Sequence, residues 1–200
     1  MNYLAIDTSA AHLTVLLHAQ GRDYCIFEPD CRMEHSVRLM PAVEQILREA
    51  GCAPASVDAF CCVVGAGSFT GVRIGVSAVK GLADALHKKK LGVTSFDTLA
   101  YHKETEKVLC ILDAKHGSYY VCGYDRGVIC LPPAFLSEAD VLNLRGEYQF
   151  VSGTPLAIPS AVVDPAEGLK RAVEKNLCFA AEDFPLEPLY IRKSQAEEGR

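Results

Sequence analysis

Two stretches of this 200-residue chain combine residue types that bind anions. Asp7-Thr8-Ser9 places a carboxylate and two hydroxyls directly after an apolar strand pattern. Residues 65–73 are rich in glycine and open a helix pattern, and free backbone N–H groups at such a turn attract phosphate. We therefore predict an anion or nucleotide site. Its candidate residues are Thr8, Ser9, Gly67, Ser68, Thr70, Gly71 and Arg73.

The glycine-rich loop matches none of the common nucleotide or nucleophile motifs. Gly71 is followed by Val72, so the Gly-Lys-Ser/Thr end of a P-loop is missing. The spacing G-x-G-x-x-x-G differs from the dinucleotide fingerprint, and Gly67 directly precedes Ser68, unlike a nucleophile elbow. Arg73 in the first helical turn opposes the helix dipole. Either a nearby Asp or Glu compensates it, or a phosphate does.

Histidines and cysteines predict no metal centre. Two ligands on one helix face need a spacing of three or four residues, and no two of the six histidines have it. The nine cysteines contain no C-x-x-C pair. We therefore expect no metal bound by this chain and no catalytic residue of its own.

Composition limits the class of protein. Half of the residues are hydrophobic and 22% are charged, which excludes a disordered chain. The net charge of −5 disfavours tight binding of a nucleic-acid backbone by this chain alone. No apolar run approaches 18 residues, and the N-terminus enters a strand pattern without a basic leader. We expect a cytoplasmic protein without membrane contact.

The pattern of apolar residues predicts two α/β units. Three strands, a helix over 34–50, a buried strand, a helix over 72–90, a short strand and a helix from 95 to 102 fill the first unit. Leu4-Ala5-Ile6-Asp7 then recurs as Cys110-Ile111-Leu112-Asp113, and a helix is expected over 165–177. We predict a duplicated RNase H-like or actin-like ATPase fold with a trimmed second copy. The units would span 1–103 and 104–193, with a flexible tail at 194–200.

The first two long helices carry more apolar residues than one core face requires. Surplus apolar surface on adjacent helices predicts a helix-on-helix interface with another chain. The predicted interface residues are His35, Ser36, Leu39, Met40, Val43, Ile46, Leu47, Val72, Ile74, Val76 and Val79.

The eleven residues from Gly65 to Gly75 resemble the GPGSFTGxRIG signature of the TsaB (YeaZ) family. Ala66 stands where that family usually has proline. Segments 4–9, 34–41, 112–120 and 188–192 resemble further family segments in order and spacing, so the resemblance covers about residues 2–192. The family is the dimerisation subunit of the bacterial tRNA threonylcarbamoyladenosine machinery.

The resemblance implies a scaffold that packs its two helices on the equivalent pair of a TsaD-type catalytic paralogue and forms a homodimer when alone. With a TsaE-type ATPase, that complex transfers a threonylcarbamoyl group to N6 of the adenosine following the anticodon in tRNAs that read ANN codons. ATP or ADP and a metal are expected in the complex with TsaD. The paralogue's metal-binding H-x-x-x-H pair corresponds here to Ser95 and Leu99.

Two alternatives stay open. The first is an active nucleotide-dependent enzyme of the same fold, or a glycoprotease-like peptidase. The second is a homodimeric binding module with an unrelated partner.

Overall fold

The computed structural model describes residues 1–101 and 106–192, so His102 and the predicted tail at 194–200 lie outside the described residues. No described helix is both long and apolar enough to cross a membrane. The first half contains β1 (Tyr3–Asp7), β2 (Leu13–Ala19), β3 (Arg22–Glu28), α1 (His35–Glu49), β4 (Ala59–Val63), α2 (Phe69–Leu86), β5 (Lys89–Val93) and α3 (Asp97–Ala100). The second half contains β6 (Lys107–Asp113), β7 (Ser118–Asp125), β8 (Val128–Ser137), α4 (Glu138–Asn143), β9 (Gln149–Ser152), β10 (Ala161–Val162) and α5 (Pro165–Asn176).

The two sheets repeat one topology. The first has the order β3-β2-β1-β4-β5 and the second the order β8-β7-β6-β9-β10. In each, the first three strands are antiparallel and the fourth runs parallel to the first. The predicted duplicated α/β fold is confirmed. The second copy is the shorter one, because α4 has 6 residues where α1 has 15.

Helix α5 packs against the first sheet, although it comes from the second half of the sequence. Helices α1 and α2 cover one face of that sheet, and Leu169, Ala172 and Val173 of α5 pack against Tyr3 and Ala5 on the other. The strands of the first sheet precede the predicted boundary at 103, and those of the second sheet follow it. Helix α5 also follows the boundary in sequence but packs on the first sheet. Strand β4 is buried on both faces and therefore needs a second covering layer, which the distant helix supplies.

Helices α2 and α3 differ from the prediction by two or more residues at each end. Helix α2 begins at Phe69, because the Ser68 hydroxyl accepts a hydrogen bond from the Gly71 N–H as an N-cap. It ends at Leu86, since His87 takes a left-handed conformation, and the next residues enter β5. The helix predicted over 95–102 is shorter, with α3 spanning Asp97–Ala100.

Candidate functional site

The turn that follows β1 is buried, and its hydroxyl donors are engaged. The Thr8 hydroxyl donates to the Gly71 carbonyl at 2.7 Å, and the Ser9 hydroxyl donates to Asp7 Oδ1 at 2.7 Å. Both residues are less than 5% exposed. The expectation that Thr8 and Ser9 bind an anion is corrected, because their O–H groups already have protein acceptors.

The glycines of the loop allow it to pack against this turn. A Cβ on Gly67 would overlap the Ser9 carbonyl oxygen, and one on Gly71 would overlap the Thr8 carbonyl oxygen. The Ser68 N–H also donates to the Ser9 carbonyl at 2.7 Å. The close approach that glycine provides is therefore used for packing between loop and turn. Ser68 and Thr70 remain exposed at the outer side of the loop.

Asp7 forms a buried pair with His12, whose Nε2 donates to Asp7 Oδ2 at 3.2 Å. Burial opposes the charge on each group, but the hydrogen bond and the attraction between them prevail. The pKa of Asp7 is lowered from its ordinary value, with further help from Ser9, and the pKa of His12 is raised. The sequence predicted Asp7 as an acidic strand end but gave no signal for His12 as its partner.

The same turn holds the start of α1. The Cys31 N–H donates to the Ala11 carbonyl at 2.7 Å, and His35 Nε2 donates to the His12 carbonyl at 3.0 Å. His35 is buried rather than available to a partner. Since the Ser68 N–H is anchored on the same turn, residues 8–12 position the first turns of both α1 and α2.

Most predicted interface residues lie in the chain's own core. Helices α1 and α2 lie flat on the first sheet, so their main apolar sides face inward. The expectation of surplus surface is therefore corrected for eight residues, which are at most 7% exposed: His35, Leu39, Val43, Ile46, Leu47, Val72, Val76 and Val79. Ser36 and Met40 are exposed, and Ile74 is half-buried.

An apolar row nevertheless lies on the solvent side of α1 and the turn before it. Met33, Val37 and Met40 are 96%, 71% and 40% exposed. Val37 and Met40 are three residues apart and lie on one side of α1, away from the buried Leu39 and Ile46. Met33 precedes the helix, in the turn that leads into it. The sequence-based set included only Met40. Val37 was missed, although its spacing from Met40 was visible, and Met33 was missed because it precedes the helix.

Arg73 stacks on aromatic rings. Its guanidinium carbon lies 3.7 Å from the centre of the Phe69 ring, and its Nε donates to the Tyr190 hydroxyl at 2.8 Å. The two rings are 5.0 Å apart. The Leu189 N–H donates to the Val64 carbonyl and so fixes the segment that carries Tyr190. In the described part of the chain, neither an Asp nor a Glu pairs with Arg73.

Within residues 1–101 and 106–192, no three His, Cys, Asp or Glu side chains are grouped to hold a metal ion. The Ser95 hydroxyl donates to the Ala66 carbonyl at 2.6 Å, and Leu99 is buried in a cluster with Phe96 and Val108. A hydroxyl that donates to a carbonyl and an alkyl side chain do not fit a metal ion. A surface cavity of about 350 Å³ is lined by Lys107 and Tyr148 among others, and none of the candidate residues lines it.

Residues 29–197 match a family model described as TsaD: tRNA N6-adenosine threonylcarbamoyltransferase. The chain is 36% identical to the tRNA threonylcarbamoyladenosine biosynthesis protein TsaB of Escherichia coli and 37% identical to that of Bacillus subtilis. Each match covers 98% of this chain and 96% of the relative. The chain belongs to the TsaB (YeaZ) family. A solved TsaB-family structure, YeaZ from Pseudomonas aeruginosa, superposes with a TM-score of 0.76 at 27% identity, covering 94% of this chain and 99% of that one. Membership of the TsaB family supports a role in tRNA threonylcarbamoyladenosine biosynthesis.

Proposed function

We propose that this chain is a non-catalytic subunit that binds a TsaD-type catalytic subunit for threonylcarbamoyl transfer to tRNA in the cytoplasm. The exposed apolar row on the solvent side of α1 carries the proposal. Met33, Val37 and Met40 have no core to fill, since α1 buries its opposite side against the first sheet. Contiguous exposed apolar side chains favour a contact with another protein.

Helix α2 supplies the second part of the proposed surface. Ser77, Gly81 and Ala85 are exposed at a spacing of four residues, beside the half-buried Ile74. Small side chains on a helix allow another helix to approach closely, while larger side chains on the partner fill the grooves between them. The larger apolar row of α1 and the small flank of α2 therefore form a surface that suits a pair of helices.

A related fold is the natural partner for such a surface. Residues 29–197 match the model of the TsaD family, so a TsaD-type subunit would present equivalent helices. A surface that suits a paralogue also suits a second copy of the same chain, and we expect a homodimer when the partner is absent.

The chemistry belongs to the partner in this proposal. A TsaD-type subunit would hold the metal and the ATP or ADP, and a TsaE-type ATPase and tRNA would join the complex. The group would be transferred to N6 of the adenosine after the anticodon in tRNAs that read ANN codons. The site geometry disfavours a peptidase, because the Ser9 hydroxyl donates to Asp7 rather than to a histidine base.

A charge in the apolar row should weaken association with the partner. We expect Val37→Asp or Met40→Asp to weaken binding to the TsaD-type subunit at least about tenfold, because a carboxylate would be desolvated in the interface. Titration calorimetry and size-exclusion chromatography of the mixed subunits measure this. Val43→Asp is unsuitable, since Val43 lies in the core and its change would unfold the chain.

Val162→Asp is the matched control, because Val162 is 52% exposed on β10 of the second half. It should bind like the unchanged chain. Unchanged binding by both α1 variants would refute the proposed surface. Transfer to tRNA by the chain alone would refute the non-catalytic role.

A further inference from the structure

Arg73 presents an unused pair of donors at the surface. Its Nε is satisfied by Tyr190, but no acceptor among the described residues contacts the two terminal nitrogens. The side chain is exposed and is held by the rings of Phe69 and Tyr190 at 3.7 and 5.7 Å. The guanidinium plane is therefore oriented before any partner arrives.

The free donors of Arg73 favour an anion. Arg73 is the fifth residue of α2, one turn after its start at Phe69, so the charge of the guanidinium rather than the helix dipole decides this preference. An incoming negative charge interacts favourably with the two terminal nitrogens. A planar fork of N–H donors matches a carboxylate through two parallel hydrogen bonds, and its fixed orientation reduces the entropy lost on binding.

We propose that Arg73 is an anchor residue of the partner interface and that its terminal nitrogens bind a carboxylate side chain of the TsaD-type subunit. Phe69 and Tyr190 are positioning residues that hold the guanidinium. This inference rests on the proposed function. Arg73 adjoins the surface already described, because it precedes Ser77 by four residues and both side chains are exposed on the same side of α2.

Tyr190 enlarges that surface. Its ring is 44% exposed, and it lies beside Phe69 at the start of α2. Arginine and tyrosine are the residue types that most often dominate the affinity of an interface. The C-terminal segment thereby contributes to binding as well as to packing.

A carboxylate fits better than a free phosphate. A phosphate site at a helix start relies on several backbone N–H groups, but here the Ser68 N–H donates to the Ser9 carbonyl and the Gly71 N–H to the Ser68 hydroxyl. A carboxylate needs only the two nitrogens of the fork.

Titration of the TsaD-type subunit with variants of the full chain tests this assignment. We expect Arg73→Ala to raise Kd at least about tenfold, and Arg73→Lys to do nearly the same, because lysine keeps the charge but lacks the fork. Tyr190→Phe removes only the hydroxyl that orients Nε and should have a smaller effect, about threefold. Arg126→Ala is the matched control, since Arg126 is an exposed arginine that pairs with Asp125 in the second half.

Two further measurements identify the anion. Binding by the unchanged chain should weaken more steeply with salt than binding by Arg73→Ala. Replacing one Asp or Glu of the partner by its amide should cause the same loss as Arg73→Ala, with no further loss in the double variant. Titration of the isolated chain with inorganic phosphate should give no saturable binding. Phosphate binding that Arg73→Ala abolishes would overturn the carboxylate assignment.

The failures are distinguishable. If Val37→Asp abolishes association while Arg73→Ala binds like the unchanged chain, the anchor role is wrong and the proposed function stands. If Arg73→Lys keeps full affinity, the two parallel hydrogen bonds from the guanidinium to the carboxylate are refuted. If neither helix contributes to association, both proposals fail. Thermal unfolding of each variant shows that its fold is retained.

Discussion

The pair between Asp7 and His12 has less than a tenth of either side chain exposed to solvent. Removal of one partner from a buried ion pair leaves the other charge unpaired, which is costly. The pair also fixes the turn at residues 8–12, which holds the first turns of two helices. Its contribution to stability depends on pH in a direction that the shifted pKa values determine.

We expect His12→Ala to reduce the free energy of unfolding by about 3 kcal/mol near pH 5.5. The raised pKa of His12 means that its stabilisation is complete below the ordinary histidine pKa and is lost as pH rises through the folded value. The lowered pKa of Asp7 means that its stabilisation is present above the ordinary value of 3.8 and is lost as pH falls through the folded one. Urea unfolding at a series of pH values measures the difference.

His18→Ala is the control for that experiment. His18 also pairs with an aspartate, Asp23, but both side chains are about a third exposed. Its cost should stay below about 1 kcal/mol. A difference between the unchanged chain and His12→Ala that does not decrease above neutral pH would contradict the assigned ion pair.

Single residues were only partly predictable from the sequence. Asp7 was identified from its place at the end of an apolar strand. Tyr190 was not identified as the partner of Arg73, because 117 residues separate them and no periodicity links two such positions. Contacts of this kind arise from tertiary packing alone.

At the scale of single elements, glycine determines how closely α2 approaches the turn that follows β1. Gly71 and Gly75 line the contact, and a Cβ on Gly75 would lie 2.7 Å from the Thr8 hydroxyl oxygen. Glycine normally weakens a helix interior, so its presence here reflects the close approach of another backbone. The glycine-rich loop therefore has a packing role that is independent of any ligand.

We expect Gly71→Ala to destabilise the protein by about 3 kcal/mol, because the new methyl group would overlap the Thr8 carbonyl oxygen. Gly81→Ala in the same helix is the control. Nothing lies within 4 Å of its added Cβ, so alanine should stabilise the helix by roughly 0.5–1 kcal/mol. Chemical denaturation of the two variants measures both effects. Equal stability of both variants would refute the packing role.

The apolar periodicity predicted that α1 and α2 exist, but it did not predict which side of each helix faces solvent. A helix with apolar residues around much of its circumference has two candidate faces, and the sequence does not distinguish them. The first sheet decides between them by covering the side with Leu39, Val43 and Ile46. The side with Val37 and Met40 is left exposed.

At the scale of the whole molecule, the two halves depend on each other through α5. A fragment of residues 1–101 would expose the face that contains Tyr3, Ala5 and Leu16. We expect it to form a loosely packed state that binds a hydrophobic dye and gives poorly dispersed amide resonances. Fusion of residues 163–181 to that fragment through a flexible linker should restore dispersion. A well-dispersed spectrum of the fragment alone would show that α5 is dispensable.

The duplication itself was predictable, because one strand pattern with an acidic end occurs twice in the sequence. Each copy forms the first strand, in chain order, of one of the two sheets. The placement of α5 was not predictable. Periodicity shows that Leu169, Ala172 and Val173 share one side of a helix, but it does not show which sheet that side will cover.

Placement of α5 also has a consequence for biosynthesis. The ribosome completes β5 at Val93 well before it reaches Pro165, where α5 begins. At about 5–20 residues per second, several seconds or more pass between these events. During that time one side of the nascent first sheet lacks its cover and is open to chaperones or to aggregation. Slower translation should prolong this exposure.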